Sequence, residues 1–197
     1  MAAQRVAILL SGRGSNMVAL VEQVQDGILR DRCEVAAVLS NKPDAAGLAK
    51  ASALGVPTIG LESRGKRRSA FDRELLDALE PLAPDWIVLA GYMRILTPQV
   101  IRRYPGHIVN IHPADTRRHQ GLHGYEWAWE QRLDSTTVTV HVVDEGLDTG
   151  PILAQREVDL RGATSLADVE RRGLAVEHVF YAQILHGLLA DLHHEVS

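Results

Sequence analysis

Apolar blocks rich in β-branched residues alternate with helical periodicity from the beginning of the chain. Residues 6–10 form a continuous apolar run, 15–29 carry a helical pattern, 35–39 are again apolar, and 44–54 return to helical spacing. A strand at 56–61 follows, then a helix at 69–82 with Phe71, Leu75, Leu76 and Leu79 on one face, then an apolar run at 86–90. Continuous runs suit strands covered on both sides, so the pattern predicts an α/β fold with a mostly parallel central sheet and helices on both faces. Gly27, Gly55 and Pro84 stand where the periodic segments stop, as helix caps and breakers do. A short helix at 98–104 leads to a strand at 107–112. Residues 136–143 then alternate, and 151–158 follow an acidic, glycine-bearing loop, which marks the last two strands as antiparallel or mixed. A long helix at 165–192 completes the pattern.

Composition adds bounds. The chain has 197 residues, 46% of them apolar and 23% charged, as expected of one globular domain spanning 1–197. A domain of this size hides roughly 70% of its unfolded surface and needs neither metal nor disulfide to hold a core. Lys and Arg number 21 against 25 Asp and Glu, a net charge of −4 that carries no footprint for nucleic acid or an anionic membrane. Cys33 stands alone, so no internal disulfide forms, and zinc-type cysteine spacings are absent. The apolar runs are far shorter than the roughly 20 residues of a membrane span. Residues 1–5 lack the plan of a signal peptide, and a cytoplasmic location is expected. No heptad pattern appears, which leaves monomer or homodimer open. The Gly, Ser, Arg and Lys cluster at 62–68 reads as a solvated loop.

Two places carry candidate chemistry. Ser11-Gly12-Arg13-Gly14-Ser15-Asn16 joins a strand to a helix, so backbone N–H groups and the helix dipole converge on a small volume that favours an anion. Ser15 and Asn16 are expected to cap the helix and donate to phosphate oxygens. The competing reading is a tight strand-to-helix turn with a serine cap. A dinucleotide fingerprint fails because Met17 stands where the third glycine belongs, and no Gly-Lys-Ser/Thr completes a P-loop. Further on, Asn110 and His112 lie two apart on one strand and share a face, while Asp148 sits in the loop Asp144-Glu145-Gly146-Leu147-Asp148-Thr149-Gly150. In acyl transfer such a trio has clear uses: Asn donates to a carbonyl oxygen, His moves protons, and Asp orients or charges the imidazole. If the nucleophile is a substrate amine, no Ser or Cys is required. The alternative is that Asn110 and His112 merely satisfy hydrogen bonds at a strand end.

Beyond spacing, the chain resembles the 10-formyltetrahydrofolate-dependent formyltransferases. The likeness rests on the glycine loop, Ser40-Asn41-Lys42, Leu89-Ala90-Gly91-Tyr92-Met93-Arg94-Ile95-Leu96, Asn110-Ile111-His112-Pro113, Gly121-Leu122-His123 and Leu147-Asp148-Thr149-Gly150-Pro151-Ile152-Leu153, in that order. It covers nearly the whole chain, to about Tyr181. The resemblance implies a single Rossmann-like domain, with phosphate binding in a half at about 1–105 and folate binding and catalysis in a half at about 106–197. It implies a formyl group carried by 10-formyltetrahydrofolate, no metal, and transfer to the primary amine of glycinamide ribonucleotide in purine biosynthesis. Asn110, His112 and Asp148 are then the catalytic residues. Gly12, Arg13, Gly14, Ser15 and Asn16 resemble the loop that holds the acceptor's phosphate, and Glu177 the acid that contacts its ribose. Met93, Arg94, Ile95 and Leu96, with Val143, Asp144, Glu145, Gly146 and Leu147 opposite, resemble the segments that receive the folate.

The likeness breaks at Ala114-Asp115-Thr116-Arg117-Arg118-His119-Gln120, where an apolar Ser-Leu-Leu-Pro stretch is usual. Either these charges pair internally, or Asp115, Arg117 and Arg118 meet a changed amine acceptor such as an amino sugar, an amino-acid derivative or a specialised nucleotide. Leu174 likewise replaces a polar residue. A folate- or nucleotide-binding module without turnover is a further alternative. Trp127 and Trp129 are expected on different sides of a helix, one in the core and one outside. His119 and His123 have the spacing of a helical metal pair, but Gly121 between them favours a loop. His141 and His178 are read as lining the site or as core histidines, and His193 and His194 as a frayed tail.

Overall fold

In the computed structural model, which describes residues 3–191, β1 (Gln4–Leu10) runs through the centre of the chain's only sheet among those residues. Val6, Ile8 and Leu10 point into one apolar cluster, and Ala7 and Leu9 into a second on the opposite face. Period-two alternation of wholly apolar side chains therefore fills two cores at once. The elements follow as α1 (Ser15–Asp26), β2 (Cys33–Ser40), α2 (Ala46–Ala53), β3 (Thr58–Gly60), α3 (Arg68–Leu79), β4 (Trp86–Leu89), α4 (Pro98–Arg103), β5 (Ile108–His112), α5 (Gly124–Glu130), β6 (Ser135–Val142), β7 (Ile152–Asp159) and α6 (Leu166–Asp191). The seven strands lie in the order β3-β2-β1-β4-β5-β6-β7. The first five are parallel, whereas β6 is antiparallel to both β5 and β7, which resolves the mixed alternative.

Met17, Leu20 and Val21 of α1, Tyr125 and Ala128 of α5, and Phe180, Tyr181 and Leu185 of α6 close one face. Phe71, Leu75 and Leu79 of α3 and Val100 of α4 close the other. Tyr181 is fully buried, and its one hydroxyl proton is shared between the Leu89 and Val109 carbonyls, each 3.0 Å away, tying α6 to β4 and β5. No helix among the described residues is long and apolar enough to cross a membrane.

Some boundaries differ from the sequence pattern for local reasons. The helix expected to 82 ends at Leu79 and tightens into a 3-10 turn, Glu80–Leu82, because Pro81 cannot donate to the α-helical ladder. The first helix stops at Asp26, where the extended backbone of Gly27 ends it. β3 shortens to three residues at the sheet's edge, with only β2 to pair. Leu192, His193 and His194 lie outside the described residues.

The connections after β1 and β4 leave the sheet in opposite directions, because the chain order reverses between these adjacent strands. Such a switch point opens a crevice at the carboxyl ends of the strands. Ser11 sits at its base. The Ser11 N–H donates to the Gly91 carbonyl at 3.0 Å, and its hydroxyl accepts the Met93 N–H at 2.7 Å, so the two loops are pinned where they diverge.

Candidate active site

The crevice is a cavity of about 770 Å³ whose lining includes the apolar side chains of Leu89, Met93, Leu96, Val143 and Leu147 together with Arg13, Tyr125, Glu170 and Leu174. Asn110, His112, His141 and Asp148 belong to the same lining. Asn110 and His112 project from β5 on one face, as their spacing requires, and His141 faces Asn110 from β6 in the antiparallel register. Asp148 arrives from the loop after β6. Its backbone is left-handed, with φ of 52°, a conformation that asparagine and aspartate tolerate better than most residues. The Gly121 N–H donates to Asp148 Oδ2 at 2.8 Å and fixes the carboxylate.

These groups form one network. Asp148 Oδ2 is 3.6 Å from His112 Nδ1, and Oδ1 is 3.4 Å from His141 Nε2. Asn110 Nδ2 is 3.2 Å from His141 Nε2 and 3.5 Å from Asp148 Oδ1. Both contacts fall on the Asn110 amide nitrogen, the one to Asp148 at the limit of hydrogen-bond distance and so the easier to exchange for a ligand. His112 Nε2 donates to the His119 carbonyl at 3.0 Å, a partner that can only accept, which assigns the neutral ring's proton to Nε2 and leaves Nδ1 bare. Burial pushes the His112 pKa below its ordinary value, although the Asp148 charge and the His119 carbonyl pull the other way. Burial of Asp148 raises its own pKa, but the His141 ring, the Gly121 N–H and the charge of His112 outweigh this and hold the carboxyl below the ordinary range. The site thus presents an ionised carboxylate beside a neutral imidazole.

Arg13 lines the cavity, while Gly12, Gly14, Ser15 and Asn16 do not. Gly14 adopts φ of +70°, and a Cβ there would lie 2.9 Å from Gly47 Cα, so glycine is required where the loop meets α2. The expected side-chain cap is absent: Gly14 is the N-cap of α1. Asn16 instead turns inward, where its Nδ2 donates to Glu177 Oε2 at 2.5 Å. The Glu177 carboxylate is buried behind the lining and also accepts the Tyr125 hydroxyl.

On the opposite side, Met93, Arg94, Ile95, Leu96, Val143, Asp144, Gly146 and Leu147 all line the cavity. Glu145 does not; it reaches outward to Arg102 at 3.4 Å. The altered segment also turns away from the lining. Asp115 Oδ1 accepts from Arg117 Nε at 3.2 Å and from Gln155 Nε2 at 3.1 Å, while Arg117 Nη2 donates to Gln155 Oε1 at 2.5 Å. Arg118 stacks over Trp127, 5.6 Å from its ring centroid. Direct contact of Asp115, Arg117 or Arg118 with an acceptor is therefore not what this arrangement provides, because Asp115 and Arg117 satisfy each other and Arg118 rests on an indole. His119 bonds to the Leu122 carbonyl and His123 to Glu126, so neither is arranged as a metal ligand. Trp127 packs against the core and Trp129 is more than a third exposed, as expected of their opposite sides.

The sequence left His141 open between the site lining and the core, and gave no sign of the His119 carbonyl or the Gly121 N–H as members of the network. Register places the first, and backbone conformation supplies the others. The alternating strand at 136–143 was the one available signal for His141.

Comparison with known proteins adds to this geometry. The Formyl transferase family model matches residues 4–185. The phosphoribosylglycinamide formyltransferase of Escherichia coli strain K12 is 36% identical over 91% of this chain and 84% of its own. The crystal structure of phosphoribosylglycinamide formyltransferase from Bacillus halodurans superposes with a TM-score of 0.89 at 38% identity, covering 94% of this chain and 95% of that one. Glycinamide ribonucleotide transformylase 1 from Symbiobacterium toebii gives a TM-score of 0.90 at 33% identity, covering 96% and 89%. The chain belongs to the formyl transferase family.

Proposed function

We propose that this enzyme transfers the formyl group of 10-formyltetrahydrofolate to the primary amine of glycinamide ribonucleotide. The observation that carries the reading is the grouping of Asn110, His112 and Asp148 on one cavity whose lining also holds a set of apolar side chains and the glycine loop's Arg13. The names of the relatives support the acceptor.

The apolar part of the lining suits a pterin-bearing molecule. Met93, Ile95 and Leu147 expose apolar surface there, and Arg94 lies over the Phe71 ring at 4.6 Å with Nε and Nη2 buried and without a partner. Unpartnered buried donors call for an acceptor on a ligand or a bridging water. Residues 93–96 and 143–147, apart from Glu145, would hold the folate, which supplies an activated formyl carbonyl when bound. Arg13 and the backbone of residues 12–14, at the start of α1, would hold the acceptor's phosphate.

The residues of the chain then divide the work. Asn110 exchanges its long contact to Asp148 for the carbonyl oxygen, donating an amide hydrogen that stabilises the charge developing there as the amine adds. His112 takes the amine's proton at Nδ1. The resulting imidazolium is held between two acceptors, the His119 carbonyl at Nε2 and the Asp148 carboxylate at Nδ1, so proton uptake turns a 3.6 Å contact into an attractive one. Asp148 is itself oriented by Gly121 and His141. The same proton is available for the departing folate nitrogen.

Incubation with 10-formyltetrahydrofolate and, separately, glycinamide ribonucleotide, an amino sugar phosphate and a free amino acid tests the acceptor. Mass spectrometry is expected to find the N-formyl ribonucleotide as the main product. Preferential formylation of either other amine would overturn the choice of acceptor.

A further inference from the structure

The acid expected to meet the acceptor's ribose is not at the cavity wall. Glu177 is only 5% exposed and is absent from the lining, and each of its oxygens already has a partner: Tyr125 Oη on Oε1 and Asn16 Nδ2 on Oε2. Of these three residues, Tyr125 alone lines the cavity. Its ring is inserted against α6 in a space made by Gly173, where an added Cβ would stand 2.1 Å from Tyr125 Cζ and 2.2 Å from its hydroxyl oxygen. Glu170 and Leu174, which flank this glycine on α6, line the same cavity.

We propose that Tyr125 reads a sugar hydroxyl of the acceptor, and that Glu177 acts through it as a positioning residue. The argument follows from hydrogen-bond capacity. A phenol has one proton, and here it is committed to a buried carboxylate, so the phenolic oxygen is left as an acceptor. Donation to a charged group also increases the electron density on that oxygen and strengthens its next bond. Tyr125 therefore selects a ligand that donates at this point, as a ribose hydroxyl does. Asn16 joins the same carboxylate to the first turn of α1, immediately after the glycine loop. The sugar contact and the phosphate loop are thus fixed to one another through one carboxylate. Leu174 beside Tyr125 adds apolar contact where it offers no hydrogen bond.

The inference rests on the proposed acceptor and is tested by a double-mutant cycle. Tyr125→Phe keeps the ring and removes the hydroxyl; Glu177→Gln keeps the shape and removes the charge. For each variant and the double variant, KM is measured for glycinamide ribonucleotide and for 10-formyltetrahydrofolate, with kcat, alongside the acceptor's Kd by calorimetry. Tyr125→Phe is expected to raise acceptor KM and Kd about tenfold, with donor KM within about twofold of the parent. In the Tyr125→Phe background, Glu177→Gln is expected to add little, because the glutamine oxygen still accepts from Asn16 and the carboxylate's remaining effect runs through the phenol. Gly173→Ala, which drives the ring out of its recess without removing the hydroxyl, is expected to weaken acceptor binding in the same way if Tyr125→Phe folds poorly. Unchanged acceptor KM and Kd in Tyr125→Phe, or effects of Tyr125→Phe and Glu177→Gln that simply multiply, would overturn the proposal. A parent that neither binds nor formylates glycinamide ribonucleotide would overturn the acceptor reading and this inference together, whereas an active parent indifferent to Tyr125→Phe would overturn this inference alone.

Discussion

His112 holds a balance between burial, which favours the neutral ring, and Asp148, which favours the charged one. Burial prevails, so the base form persists below the ordinary histidine value of about 6.5. The turnover of the parent is therefore expected to stay level as pH falls to that value and to decline only beneath it. Asp148→Asn removes the influence that favours the imidazolium. Its expected result is a fall in kcat on the order of 10²-fold or more, with the acid limb moved to lower pH; a kcat–pH profile checks both. The same shift has a stability sign. Just below pH 6.5 the unfolded chain binds the histidine proton more readily than the folded one, so this residue contributes a loss of stability as pH falls through that window. Asn110→Ala should lower kcat by about 10²–10³-fold, the usual cost of one donor to a developing oxyanion, with little change in thermal melting because Asn110 is only half-buried.

At the scale of elements, the loop between β6 and β7 depends on a glycine. A Cβ at Gly150 would fall 1.8 Å from the Val142 carbonyl oxygen, so Gly150→Ala must push apart the ends of two paired strands. The expected cost is roughly 1–3 kcal/mol, seen as a lower Tm, together with lost turnover because Asp148 rides on the same loop. The sequence pattern disclosed the strands and helices that carry this machinery because continuous apolar runs and 3.6-residue spacing are direct consequences of two-sided burial. It disclosed Asn110 and His112 as a pair because alternation along β5 leaves no other arrangement. Asp148 was legible as a loop acid, but its docking on Gly121 depends on two loops meeting across a long stretch of chain. The inward turn of Asn16 was not legible, since a residue at that position is ordinarily a cap or a phosphate donor. The Asp115–Arg117–Gln155 cluster was half visible: internal pairing was one of two readings, and the partner on β7 could be found only from the register of the sheet.

For the molecule as a whole, the two apolar layers and the switch-point cavity form one construction. Cys33 starts β2 beneath the first core layer, and burial raises its thiol pKa to about 12. A thiol reagent at pH 8 is expected to leave the folded chain unmodified and to label Cys33 in step with global unfolding in urea; rapid labelling of the native chain would show that this layer opens locally. On the proposed function one set of groups serves both ligands, so formyl transfer should depend on His112 more steeply than binding does. The most direct measurement is the initial rate of N-formyl product from 10-formyltetrahydrofolate and glycinamide ribonucleotide, for the parent and for His112→Ala at saturating concentrations of both. The account predicts turnover by the parent and a decrease of about 10²–10⁴-fold in the variant, with both ligands still bound. Equal rates for the two proteins, or no product from the parent, would contradict it.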